Sequence, residues 1–285
     1  MDDDFNNTVF RFPLRTAEHA SRSEVSAKAF EKSQVKKLLD RLIKDGEEIF
    51  IFLKNLEELQ VYQISENGDG SLEELLSITT KNSEEVRRER QKLLSVVQHE
   101  PERFLELCQT APQSLPSVSY LHKIEVNNQG KTTTSTWRVS SLIRIDRDGE
   151  LIGVMNKIFS SKRKEKAIPW AGAAACIASS NSDIVTKSLK GNIYCFLPLP
   201  QQDNYTGLHI HINGYFDLDS SRRHLTSNDK DYELQTTWNR LLANHVLSDA
   251  CANLITSLAQ DLGEDKPDDY YSLWPVSNDQ LPNPL

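Results

Sequence analysis

The sequence predicts an α+β fold, a mixed and mostly antiparallel sheet with flanking helices. Three observations lead there. Short runs rich in β-branched and aromatic residues recur, such as EEIFIFLKN (47–55), LQVYQIS (59–65) and NIYCFLPLP (192–200). Two longer runs, SVSYLHKIEVNN (117–128) and TTTSTWRVSSLIRID (132–146), face each other across NNQGK as a hairpin would. Segments with apolar residues at helical spacing lie between and after them.

In chain order, TVFRFPLRT (8–16) alternates as a strand until Pro13, which withdraws a ladder donor and marks an end or an edge. Such a strand needs a neighbour, and little chain precedes it. Residues 24–46 place Val25, Phe30, Val35, Leu38, Leu39, Leu42 and Ile43 at helical spacing, with Gly46 as the stop. The strands 47–55 and 59–65 follow, then the turn ENGDGS (66–71), whose two glycines supply positive φ. Residues 83–109 are helical, with Ser83 as N-cap and Pro101 dividing them into two helices. APQSLPS (111–117) is a loop, and the hairpin comes next. DGELIGVMNKIF leads into SSKRKEK (160–166), a basic run of the kind that is usually a solvated loop. IPWAGAAACIAS (168–179) has the small residues of a closely packed buried strand, and 192–200 and 208–216 are further strands. From Glu233 a long amphipathic helix carries Leu234, Trp238, Leu241, Leu242, Leu247, Leu254, Ile255 and Leu258, and breaks at Gly263. YYSLWPV (270–276) is an aromatic docking segment, followed by a loose end. The chain thus divides into residues 1–16, an α+β module over 17–262, and a docking segment with its tail over 263–285.

Composition narrows the function. A 38% apolar and 26% charged chain of 285 residues can bury a core. A net charge of −8 argues against a whole-surface nucleic-acid binder, which needs basic excess. The acidic MDDDFNN start has no apolar stretch of a signal peptide, and no run reaches membrane-spanning length. Cys108, Cys176, Cys195 and Cys251 form no Cys-x-x-Cys pair and suit a reduced cytoplasmic protein.

The stretch with most chemistry is GLHIHINGYFDLDSSRRHL (207–225). His209 and His211, two apart on a strand, share a face and could meet one metal ion. A third ligand stands at no recognisable spacing, so no metal is expected. Ser220, Ser221, Arg222 and Arg223 make a fork of donors suited to phosphate or carboxylate. Asp217 and Asp219 upstream allow the other reading, structural ion pairs that close a turn. Phosphate-cradling and dinucleotide glycine motifs are missing, as is a serine nucleophile elbow. Cys195, within an apolar strand, is a poor nucleophile for a His209 base.

Several of these segments, in order, resemble the sacsin repeat region, part of the wider chaperone group that includes the ninety-kilodalton heat-shock proteins. They are FRFPLR, PWAGAAACIA, CFLPLP, GLHIHINGYFDLDSSRRHL, the TTWNRLL helix and YYSLWP, which together span nearly the whole chain. The resemblance implies a chaperone middle-domain-like module over 17–262, with 1–16 a remnant of the last strand of an ATPase domain of the GHKL type. It implies that Phe10 and Phe12 belong to a sheet lying upstream, together with the adenine and magnesium motifs. No cofactor is then expected in this chain, and ATP with magnesium only alongside that domain, so the chain alone is not expected to be an enzyme. LDSSRRHL is similar to a heat-shock chaperone segment whose arginine reaches the γ-phosphate of ATP. By position this is Arg222, with Arg223 assisting and Ser221 and Asp219 supporting. Asp219 would restrain Arg222 until nucleotide arrives, and Arg223 departs from the chaperone's acidic residue. Gly214 would permit a tight bend, while Phe216, Leu218 and Leu225 anchor the loop. The implied partners are client proteins or co-chaperones, such as those of the seventy-kilodalton heat-shock system. Neither nucleic acid nor a membrane is expected as a partner. The alternative is a stand-alone protein-interaction scaffold without nucleotide function, docking through the long helix and YYSLWP.

Overall fold

In a computed structural model of the chain, the described residues are 8–10, 14–64, 70–98, 100–160, 167–180, 190–200, 206–226, 232–262 and 266–274. Strands β3 (Ser117–Asn128) and β4 (Lys131–Ile143) are the predicted hairpin, paired from Ser117↔Leu142 to Asn128↔Lys131. Gln129 (φ 48°) and Gly130 (φ 85°) are both left-handed, the two-residue turn whose twist matches the strands it joins.

Strands β1 (Glu58–Ile64) and β2 (Leu72–Thr80) extend the sheet on the β3 side. On the β4 side lie β5 (Trp170–Ser179), β6 (Ile193–Cys195), β7 (Leu197–Pro198) and β8 (His211–Gly214). The order is β1-β2-β3-β4-β5-β8-β6-β7, antiparallel except where β6 meets β8. This is the expected mixed, mostly antiparallel sheet with helices around it. The central strand β5 runs through Ala173, Ala174 and Ala175, all with no exposed surface. Alanine favours helices, yet pairing on both edges and burial on both faces override that preference.

The helices are α1 (Ala17–Ser21), α2 (Lys32–Ile49), α3 (Ser83–Val97), α4 (Pro101–Thr110), α5 (Glu150–Phe159), α6 (Glu233–Leu241), α7 (Ser248–Leu262) and α8 (Pro267–Ser272). The chain divides into two compact units, Met1–Gly46 and Glu47–Leu285, and the second contains the whole sheet. The middle of its sheet, β3 to β5, is covered on both faces. On one face α3 packs over β3, where Tyr120, His122, Trp137 and Val139 project. On the other, α7 packs against β4 and β5, and Asp261 grips Arg138 through two 2.6 Å bonds.

Several expectations are corrected. Residues 8–10 and 14–16 form no strand, and Val9 and Phe10 are 55% and 75% exposed; Phe12 and Pro13 lie outside the described residues. Helix α2 begins later than expected and continues through Gly46 to Ile49. The segment after it is not a strand: Phe50, Ile51 and Phe52 are buried in bends. The carbonyls of Phe50 and Ile51 accept instead from the Arg90 guanidinium, at 3.5 and 2.8 Å. Strand β2 has no counterpart among the expected elements; its Leu72–Leu76 stretch is rich in helix formers, and pairing with β1 and β3 overrides that preference. Asn82, not Ser83, stands at the start of α3. The run expected over 192–200 breaks at Phe196, whose φ of 63° separates β6 from β7. The last long helix contains a wider π turn, Leu242–Leu247, between α6 and α7. Of the ENGDGS turn, residues 66–69 lie outside the described residues, and Gly70 has the positive φ expected of it, 74°. Gly263 and most of the SSKRKEK run also lie outside the described residues.

Arg90 is 6% exposed, and its Nε also donates to the Tyr120 hydroxyl at 3.1 Å. Arg90→Leu leaves these buried acceptors unmatched and is expected to cost about 3 kcal/mol in urea unfolding. Arg87→Ala, at an exposed ion pair with Glu57, should leave the urea midpoint nearly unchanged. Equal effects of the two variants would show that the buried network does not hold the fold.

Candidate functional site

The candidate site is the loop that follows β8. Gly214 ends the strand because a Cβ there would stand 2.6 Å from the Phe216 ring. Its role is therefore close approach, which lets the 5% exposed Phe216 fold back into the core, rather than a bend that needs positive φ. Helix α6 then holds the loop from behind. Trp238 Nε1 donates to the Tyr215 carbonyl at 2.9 Å. The side chain of Asn239, 2% exposed, binds both backbone groups of Asp217, at 2.8 and 2.9 Å. The arms of the loop are joined by the Leu218↔Leu225 bridge and by Thr226, whose amide donates to the Asp217 carbonyl at 3.1 Å. Leu218 and Leu225 are half-buried, as anchors should be.

At the tip, Ser221, Arg222, Arg223 and His224 are exposed. Arg222 has φ 55°, and its amide donates to the Asp219 carbonyl at 2.9 Å. A non-glycine residue there is strained, so the turn holds its arginine against a backbone preference. The Asp219 carboxylate does not restrain Arg222 as expected. It accepts from the Ser221 hydroxyl (2.8 and 2.9 Å), from the Arg223 amide (2.9 Å) and from His224. The Arg223 amide, followed by these other donors, holds that carboxyl down at about 2. Asp217 is likewise occupied, accepting the Thr226 hydroxyl at 2.5 Å. Among the described residues no hydrogen bond or ion pair engages the Arg222 guanidinium.

Residues 1–76 match the family described as the Sacsin domain. Sacsin of Homo sapiens is 30% identical to the chain over 257 residues, which is 89% of the chain. The chain belongs to the sacsin family. It spans 5% of the length of that relative. No solved structure matches it.

Elsewhere in this sacsin-family chain, His211 is a core residue. Its Nδ1 accepts the Asn192 amide at 3.0 Å, so Nε2 carries the hydrogen and faces the Glu48 carboxylate at 3.7 Å. The ring packs against Trp137 and Tyr194, with centroids at 5.2 and 5.3 Å. His209 precedes the strand and is half-buried, so the regular alternation expected of the pair does not extend to it. Among the described residues no three His, Cys, Asp or Glu side chains group as metal ligands. Burial raises the pKa of the Cys195 thiol, whose Sγ donates to the Phe216 carbonyl at 3.6 Å; both are unsuited to a nucleophile.

The sequence reading missed one feature. Lys54 places its Nζ 3.6 Å from the Phe196 centroid, 4.9 Å from Trp170 and 5.1 Å from Tyr215. The four residues come from distant segments, so no spacing could signal them. Tyr215 of this group lies two residues before Asp217, where the arginine loop starts.

Burial holds both His122 and His211 at about 3, against an ordinary 6.5, with the Arg90 charge adding to the effect at His122. The unfolded chain binds protons at these rings below 6.5, while the folded chain resists them down to about 3. Stability should therefore fall as pH drops through that window, by at most about 1.4 kcal/mol per ring per pH unit. Urea midpoints across the window check this, and His211→Gln should flatten the slope. An unchanged slope would show that the ring is not held neutral.

Proposed function

We propose that this sacsin-family chain is a chaperone module that couples a GHKL-type ATPase domain to client or co-chaperone binding, with Arg222 reading the nucleotide's terminal phosphate. One observation carries the reading: an exposed guanidinium on a left-handed backbone, at the tip of a loop braced by Asp219 and Asn239. A charge held in place needs little reorganisation when it meets an anion, and this makes it effective on a developing phosphoryl charge. The nucleotide would sit in the ATPase domain and supply the transferable phosphoryl group. This chain would contribute the arginine, with Ser221 and Asp219 as positioning residues and Arg223 adding positive charge. The likeness of LDSSRRHL to the heat-shock chaperone loop supports the same assignment.

The test is ATP turnover by a sacsin-family protein that carries both the ATPase domain and this module. Arg222→Ala is expected to lower kcat about a hundredfold. Arg223→Ala should have a smaller effect. Turnover unchanged in Arg222→Ala removes the sensor role.

A second reading, a protein-interaction scaffold, is favoured by the C-terminal aromatics. Tyr271 and Trp274 are 65% and 44% exposed, and with Tyr270 their ring centroids lie 5.3 to 6.4 Å apart. Exposed aromatic clusters are common anchors of protein interfaces. On this reading, Tyr271→Ser with Trp274→Ser abolishes binding of a seventy-kilodalton heat-shock protein in a calorimetric titration, while Arg222→Ala leaves it intact. Binding that survives the double change excludes α8 as the docking surface.

A further inference from the structure

The rings around Lys54 are arranged as a box. Phe196 is the middle wall. Trp170 stands against it at 5.3 Å and 72°, and Tyr215 at 5.5 Å and 73°, so two walls rise nearly perpendicular to the third. The faces that remain converge on one point, where Nζ lies.

Each wall is fixed by the sheet. Trp170 is 4% exposed, and its Nε1 donates to Ser141 Oγ at 2.7 Å. The Tyr215 amide donates to the Trp170 carbonyl at 3.0 Å, which ties the two outer walls together. Phe196 is held in the left-handed region at φ 63°, with its amide donating to the buried Asn213 side chain at 2.8 Å. That backbone state is costly for an aromatic residue and persists because its surroundings enforce it. Its consequence is to present the ring face to the cation. Lys54, Phe196 and Tyr215 are half-buried, so the box opens to solvent on their side.

The chemistry inside the box suits a lysine poorly. A primary ammonium has three N–H donors and is strongly hydrated. Among the described residues no hydrogen bond or ion pair satisfies the Nζ donors, and burial lowers the Lys54 pKa. Asp217, at the start of the neighbouring loop, is taken up by Thr226. Ring faces without acceptors favour a cation that has no N–H to satisfy, and recognition of quaternary ammonium groups by aromatic cages follows this rule.

We propose that Trp170, Phe196 and Tyr215 form a recognition cage for a quaternary or fully methylated ammonium group, and that Lys54 occupies it when that group is absent. Lys54 then acts as a resident competitor. The ligand displaces it, and the lysine moves into water. The chemistry is shared by a small molecule such as choline and by a trimethyllysine side chain of a protein.

The test uses the full chain, titrated separately with choline and with a short trimethyllysine peptide, observed by proton NMR of the N-methyl signals. Insertion between ring faces moves those signals upfield. Lys54→Gln removes the competitor and should tighten binding about tenfold, because the cage no longer has to be vacated. Phe196→Leu should abolish the upfield shift, and Tyr215→Leu serves the same purpose if Phe196→Leu does not fold. A peptide that binds more tightly than choline identifies a protein ligand, and equal affinities identify a small molecule. Folded Lys54→Gln protein that gives no saturable upfield shift with either probe overturns the proposal. So does a ring variant that binds as well as the parent.

Discussion

A buried guanidinium decides where the chain can lie between α2 and the sheet. The segment Phe50–Phe52 is fully apolar in its side chains and irregular in its backbone, so its carbonyls need donors that no ladder provides. Arg90 provides them from α3 while also donating to Tyr120 on β3. One side chain thus joins a bend, a helix and a strand. The consequences reach further along the chain: Lys54 follows directly and enters the three-ring box, and Glu48, just before, faces His211.

The arginine loop illustrates a related constraint. Its two carboxylates, which could have neutralised the arginines, are consumed in building the turn. Asp219 satisfies donors at the tip and Asp217 joins the base to Thr226, so among the described residues neither carboxylate is spent on Arg222. The loop begins where the third wall of the box ends: Tyr215 lines the box, Phe216 enters the core and Asp217 starts the loop. The three-ring box and the arginine loop therefore share one strand end, Tyr215 belonging to the first and Asp217 opening the second.

Some of this was legible in the residues. The β3–β4 hairpin could be read because one face alternates apolar residues over its full length and the turn has a glycine where φ must be positive. The buried β5 could be read from its small residues, and the SSRRHL tip from its density of donors. Other elements could not. LEELL in β2 has helix-forming residues and takes strand pairing only because β1 and β3 flank it. EEIFIFLKN alternates as a strand would, yet it yields to helix and bend because a distant arginine satisfies its backbone. At the site, the pairing of Asp219 with amide groups rather than with Arg222 depends on a left-handed residue, which residue types alone do not specify.

What the sequence by itself determined was local: which faces are apolar, where turns must open, which residues bring charge to the loop, and the likeness that places the chain in the sacsin family. The convergence of Lys54, Trp170, Phe196 and Tyr215, and the neutral burial of His211, were decided only by the tertiary structure. Pattern along a chain reports each residue's neighbours at a spacing of two or about four. Groups separated by more than a hundred residues meet only when strands pair, and it is that meeting, through burial and the loss of water, that sets which charges are held and which are left to act.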